Sequence, residues 1–193
     1  MRLFFSFSKL SFSSIIVSSI LLSSIFSVSS HAFAAELEGF RAGPVIQGYG
    51  KHAAVDGLSM DSKHSFKIAF DVGAGADAGE VNRRFDSLAR FINMHVAAGI
   101  AKENIELALV VHGRASIDLL QSSVYQRVHS ADNANQPLLK ALMDNGVKVI
   151  LCGQTAAAYE ISESQLIEGA RIELSAMTAH ALLQQLGYTV NPF

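Results

Sequence analysis

A chain of 193 residues with a formal net charge of −2 is long enough for one domain with an ordinary core. It shows no basic run or patch, which argues against nucleic acid and anionic membrane as partners. Its single cysteine excludes an internal disulfide and any Cys-x-x-Cys site.

Residues 1–34 read as an export leader. They hold Arg2 and Lys9, no acidic residue, an apolar and serine-rich stretch from Leu10 to Val28, and a small-x-small site at Ala32-Phe33-Ala34. Eight serines between Leu10 and Val28 make this stretch a poor bilayer span, so stable membrane insertion is not expected. Cleavage after Ala34 would leave a periplasmic chain of 159 residues with thirteen basic and seventeen acidic residues, a formal charge of −4. In an exported protein a leftover thiol suggests a free reactive group or a bond between chains.

Residues 35–62 are punctuated by Gly39, Gly43-Pro44, Gly48, Gly50 and Gly57 and read as an extended arm, with the domain proper over 63–193. Phe66–Val72 alternates and ends at glycines, as a strand does. The spacing predicts a helix from Gly79 to Ala98 with Gly99 as its stop. Ile105–Val111 is nearly continuous in apolar residues, the pattern of a strand covered on both faces, and ends at His112-Gly113. Residues 114–136 give a weaker signal, with a helical turn at Ile117–Leu120 and a polar stretch from Ser122 to Asn135. Pro137–Asn145 reads as a helix stopped by Gly146, and Val147–Leu151 as a third strand. A short helix from Gln154 to about Tyr159, a loop to Gly169 and a fourth strand over Ala170–Leu174 follow. Ser175 is placed to cap a helix running to Leu186, where Leu182, Leu183 and Leu186 add apolar area, and Tyr188–Val190 is a last short strand. Strand and helix alternating with short connections predict an α/β fold: a three-layer α/β/α sandwich with a mainly parallel sheet of about five strands and right-handed crossovers.

Cys152 lies at the carboxyl end of the third strand and opens a helix, the end at which open α/β sheets carry their ligand sites. Helix-terminal amides there favour a thiolate, and the amides of Gly153 and Gln154 are the nearest. A small buried core residue is the alternative reading of that cysteine. His112 and Gly113 end the second strand on the same edge, where an imidazole could approach the thiol, and Asp71 adds a carboxylate from the first strand. Ordinary capping of a strand end accounts equally well for His112. His95 and His180 fall inside helices, where solvated or satisfied roles are expected. The histidines show no ligand spacing, so no metal site is expected. Gly73-x-Gly75-x-x-x-Gly79 is one residue longer than a dinucleotide fingerprint, and a flexible turn is the better account.

The chain resembles the DsrE/DsrF-like sulfur-relay family, in particular its exported single-domain members. The resemblance is carried by Gly43-Pro44-Val45-Ile46-Gln47-Gly48-Tyr49-Gly50, Leu88-Ala89-Arg90-Phe91-Ile92-Asn93-Met94, Val110-Val111-His112-Gly113, Val149-Ile150-Leu151-Cys152-Gly153-Gln154, Ser175-Ala176-Met177-Thr178-Ala179 and Leu186-Gly187-Tyr188. It implies an α/β/α sandwich assembled as a homotrimer or hexamer. It also implies a sulfur carrier or transferase that holds sulfane sulfur as a persulfide on Cys152, with no metal or organic cofactor and with a sulfur donor or acceptor protein as partner. On that reading Cys152 and His112 are the reacting pair, and Asp71, Gly113, Gly153 and Gln154 line the site. The expectations from other classes are a non-catalytic oligomeric binding module and a thiol redox sensor.

Overall fold

The structure is a computed structural model and describes residues 39–191. The leader, its cleavage point after Ala34 and the first residues of the arm lie outside the described residues. No helix among the described residues is long and apolar enough to cross a membrane.

Among the described residues five strands form one fully parallel sheet: β1 (Phe66–Val72), β2 (Ile105–Val111), β3 (Lys148–Cys152), β4 (Arg171–Glu173) and β5 (Thr189–Asn191), in the order β4-β3-β2-β1-β5. The helices are α1 (Arg83–Ala97), α2 (Ser122–His129), α3 (Asn135–Asp144), α4 (Gly153–Ala158) and α5 (Ala176–Gln185). The expected three-layer α/β sandwich is therefore the observed one.

Alternation along each strand divides the core in two. Phe70, Val72, Leu107, Leu109, Val111, Val149 and Leu151 point to one layer and meet Phe85, Leu88 and Ile92 of α1 and Leu138, Leu139 and Leu142 of α3. Ala69, Ala108, Val110 and Ile150 point the other way, to Ala179 and Leu183 of α5 and to Tyr188. Ala156 of α4 joins the first layer, so among the described residues α5 is the one helix on the second face, beside Tyr188. Leu183 is thus core, whereas Leu182 and Leu186 are exposed.

Element ends differ from the sequence reading for local reasons. The helix expected from Gly79 starts at Arg83, because Gly79 turns with a φ of +79° and Asn82 caps, its Oδ1 accepting the Arg84 amide at 3.0 Å. Asn135 rather than Pro137 opens α3, and Cys152 ends β3 instead of following it. The polar stretch after Gln121 forms α2, a helix that buries only Tyr125. The turn at 113–119 is a 3-10 helix.

The arm is irregular and lies along α1. Asn93, fully buried, receives the Val45 and Ile46 amides at 3.1 and 2.9 Å and donates to the Ile46 and Tyr49 carbonyls, both at 3.0 Å. Gly43 fits because a Cβ there would stand 2.0 Å from Asn93 Cγ. The Gly50 amide meets Asp86 Oδ1 at 2.6 Å.

Candidate functional site

Cys152 is at once the last residue of β3 and the N-cap of α4. Burial raises its thiol pKa. Hydrogen bonds from the Thr155 amide, the Ala176 amide, the Thr155 hydroxyl and the Gln154 amide outweigh that, so the net shift is downward. These donors belong to two helices: Gln154 and Thr155 to the first turn of α4, Ala176 to the first residue of α5. Cys152 thus stands at the first turn of α4, where amides without intrahelical partners favour an anion. Cys152 as a residue is 6% exposed.

Neighbouring residues explain how α5 comes so close. A Cβ at Gly153 would stand 2.5 Å from the Glu173 carbonyl oxygen, so glycine lets the end of β4 pass over α4. The Gln154 side chain donates to the Leu174 carbonyl at 3.1 Å and holds that crossing down. Ser175 then caps α5, its Oγ accepting the Thr178 amide at 3.0 Å. Thr155 ties the first turn of α4 to the next strand end: its Oγ1 accepts the Gly113 amide at 3.2 Å. Gly113 is left-handed, with φ +53°.

Asp71, His112 and Cys152 share the face that α5 covers. Their strand neighbours Ala69, Val110 and Ile150, two residues earlier in each case, all point to that side. The imidazole of His112 does not bond the thiol. Its Nε2 lies 3.3 Å from Asp71 Oδ2, and its ring lies against Gly73, where a Cβ would stand 2.5 Å from Cε1. His180 of α5 takes the other carboxylate oxygen, with Nε2 2.8 Å from Oδ1. Burial raises the Asp71 pKa, hydrogen bonds to His180 and then His112 lower it, and the net shift is downward. The second nitrogen of His180, Nδ1, is buried without a partner among the described residues.

The sequence reading therefore had Asp71, His112, Gly113, Cys152, Gly153 and Gln154 on one edge of the sheet. It missed Thr155, Ala176 and His180. Thr155 stands three residues after an N-cap, the position from which an N-terminal turn faces its cap, and that spacing was a usable signal. The glycines at 73 and 75 serve close packing rather than flexibility. Gly73 admits the His112 ring, and a Cβ on Gly75 would stand 2.9 Å from the Arg114 carbonyl oxygen. The loop between them and α1 is pinned by the Ala76 amide on Asp118 Oδ2 at 3.0 Å and by Asn82 Nδ2 on the Ala74 carbonyl at 2.9 Å.

Among the described residues no group of three or more His, Cys, Asp or Glu side chains is arranged to hold a metal ion. A cleft of about 1010 Å³ lies between Gln121, Gln136, Lys140 and Glu168 and shares no residue with this site. The chemistry sits instead at the strand ends, where a titratable thiol and a carboxylate bridged to two imidazoles lie under one helix.

No curated protein matches the chain. Among solved structures it is similar to YchN of E. coli, at 24% identity over 66% of this chain and 99% of that one, with a TM-score of 0.49. It is also similar to MTH1491 of Methanobacterium thermoautotrophicum, a protein of unknown function, at 15% identity over 67% of this chain and all of that one, with a TM-score of 0.47. The sequence model of the DsrE/DsrF-like family matches residues 67–192, from β1 through β5. The chain belongs to the DsrE/DsrF-like family, and its fold is a sulfur-relay-related one.

Proposed function

We propose that this protein is a periplasmic sulfur carrier that accepts sulfane sulfur on Cys152 and passes it on as a persulfide. The observation that carries the reading is the place of Cys152, at the end of β3 and the cap of α4, with a thiol pKa held below its ordinary value. A lowered pKa favours a thiolate, the nucleophile that sulfur transfer requires. In the loading step the Cys152 thiolate attacks the outer sulfur of a donor persulfide R–S–SH. The Cys152 S–S bond forms, the donor S–S bond breaks, and RS⁻ leaves. In the unloading step an acceptor thiolate attacks the outer sulfur of the Cys152 persulfide and the Cys152 thiolate departs. Sulfur moves between thiols with no net oxidation, so neither metal nor organic cofactor enters the balance. His112 stands on the adjacent strand end, with its Nε2 3.3 Å from Asp71 Oδ2.

The same reading includes a homo-oligomer, a trimer or a multiple of it. Its support is the exposed apolar side chains on and beside α5, with Met177 80%, Leu174 70%, Leu186 63% and Leu182 45% exposed. Light scattering of the mature chain at micromolar concentration tests it, and a monomer there would count against it.

Polysulfide treatment followed by intact-mass measurement tests the carrier. The wild type should gain one or more sulfur atoms and Cys152→Ser none. The low exposure of Cys152 favours one other reading, a non-catalytic binding module in which the thiol is a core residue. A folded wild type that neither alkylates nor gains sulfur would establish that reading in place of the carrier. Fast alkylation without sulfur uptake would point to a redox sensor.

A further inference from the structure

The loop after β1 and the 3-10 turn after β2 enclose a cleft of about 490 Å³ whose walls include none of Asp71, His112 and Cys152. It lies at the carboxyl edge of the sheet, where open α/β folds take up ligands. Asp118 forms part of its wall and is 2% exposed. Both hydrogen bonds to its carboxylate fall on one oxygen: Oδ2 takes the Ala76 amide at 3.0 Å and Asn82 Nδ2 at 2.8 Å. Oδ1 has no donor among the described residues and is not sealed in, so it meets the cleft. Burial pushes this carboxyl pKa up, and the bonds from Asn82 and Ala76 do not cancel the effect. A buried carboxylate with an open oxygen calls for a cationic partner. Arg114 lines the same cleft, yet among the described residues it pairs with neither Asp118 nor Asp77. It precedes Asp118 by four residues in the turn 113–119, about 8 Å along the axis at about 2.0 Å per residue. Two opposite charges thus border one space and leave it open between them. Val128 and Tyr159, both exposed, give that space an apolar side. The walls are tied down: the Tyr125 hydroxyl takes the Gly79 amide at 3.2 Å, and Asn133 Nδ2 donates to the Asp118 carbonyl at 2.9 Å.

We propose that this cleft binds a free α-amino acid with an apolar side chain, its ammonium on Asp118 Oδ1, its carboxylate on Arg114 and its side chain against Val128 and Tyr159. Each charged end gains a charge-assisted hydrogen bond, and the guanidinium suits a carboxylate in particular. A ligand with a carboxylate alone would meet Asp118 and Asp77 as like charges. One with an amine alone would leave Arg114 without its counter-ion. A molecule carrying both, one carbon apart, answers both walls, and the cleft is in the size range of small-molecule sites. The proposal is independent of the reading of Cys152 and involves no covalent step.

Titration of the isotope-labelled protein with L-leucine, followed by its amide chemical shifts, reads both the affinity and the place of binding. Leucine should saturate with a dissociation constant of about 1 mM or tighter and should move the Ala76, Arg114 and Asp118 amides while leaving Val190 still. L-leucinamide, which lacks the carboxylate, and N-acetyl-L-leucine, which lacks the ammonium, should each bind about tenfold more weakly, as expected on losing one hydrogen bond between charged groups. Arg114 is exposed and without a partner among the described residues, so Arg114→Met should leave the fold intact. That variant should bind leucine about tenfold more weakly and leucinamide as the wild type does. Asp118→Asn should do the reverse, weakening leucine and leucinamide while sparing N-acetyl-L-leucine. If Asp118→Asn does not fold, because Oδ2 holds Ala76 and Asn82, the Arg114→Met comparison decides alone. No saturation with leucine, methionine or phenylalanine up to about 10 mM would overturn the proposal. So would leucinamide binding as tightly as leucine, which would make the cleft a site for an amine or a peptide amino terminus. Unchanged leucine binding in Arg114→Met would overturn it as well.

Discussion

The two faces of the sheet are built on different terms. The face under α1 and α3 is filled with phenylalanine, leucine, isoleucine and valine, nearly all fully buried. The face under α5 is apolar only in its middle, at Ala69, Ala108, Val110 and Ile150. Its amino-terminal end carries Lys67 and Glu106 at 3.0 Å, with the Tyr188 hydroxyl 3.3 Å from the same carboxylate and Lys148 on that hydroxyl. Its carboxyl end carries Asp71, His112 and Cys152. Small residues allow a single helix, α5, to come close to the strand ends that carry these groups. One face specifies the fold and the other holds the polar groups, which is why titratable side chains accumulate where packing is thinnest.

The sharpest test of this asymmetry compares one large side chain from each layer. Phe85 is fully buried on α1, and Phe85→Ala should cost about 4 kcal/mol. Leu183 on α5 meets mostly small neighbours, and Leu183→Ala should cost about 2 kcal/mol, at the low end for such a change. Urea denaturation of both variants measures the difference. Equal losses would mean that the α5 face is packed as firmly as the other.

A second test concerns what the α1 layer holds on its outer side. Asn93→Ala removes the partner of two arm amides and three arm carbonyls and should cost about 3 kcal/mol, the range for leaving buried groups unpaired. Hydrogen exchange should quicken at Val45 and Ile46 while β2 and β3 keep their protection. An unchanged rate at those amides would show that the arm is held by its other contacts.

How far the sequence foretold this arrangement follows the same division. The central strands were legible because Ile105–Val111 and the run into Cys152 are continuous apolar segments, and continuity signals cover on both faces. The start of α1 was not, because Val81 extends the apolar spacing past the true cap at Asn82. Nor was α2, which buries a single tyrosine and so carries almost no periodic signal. At the site, the edge and its polar residues could be named because a strand end is a local property. The direction of His112 could not, since it depends on Gly73 making room and on Asp71 receiving the ring across a strand pair. His180 reaches Asp71 over 109 residues of sequence, and no local pattern marks such a partner.

The smallest expected effect lies in acid, and it concerns the α5 face alone. Asp71 is partly buried, which raises its pKa, but its bonds to His180 and His112 outweigh that and leave the folded value below the ordinary 3.8. As pH falls, the unfolded chain takes up a proton at this carboxyl before the folded chain does. The unfolded state then binds more protons, so stability declines with falling pH. The contribution of Asp71 is complete above about pH 4 and is lost as pH drops through the folded value. Asp71→Asn keeps a side-chain oxygen for one imidazole but has no carboxylate to protonate. It should be modestly less stable than wild type at pH 6 and should approach it as the pH is lowered toward 3. Thermal unfolding of the two proteins across that range measures the gap. The carboxylate is about one-third exposed, so solvent screening keeps the gap small, of the order seen for a partly solvated pair. A gap that stays constant from pH 6 to pH 3 would mean that the two imidazoles are held by α5 and Gly73 without help from the Asp71 charge. The α5 face would then be fixed by packing after all, like the one across the sheet.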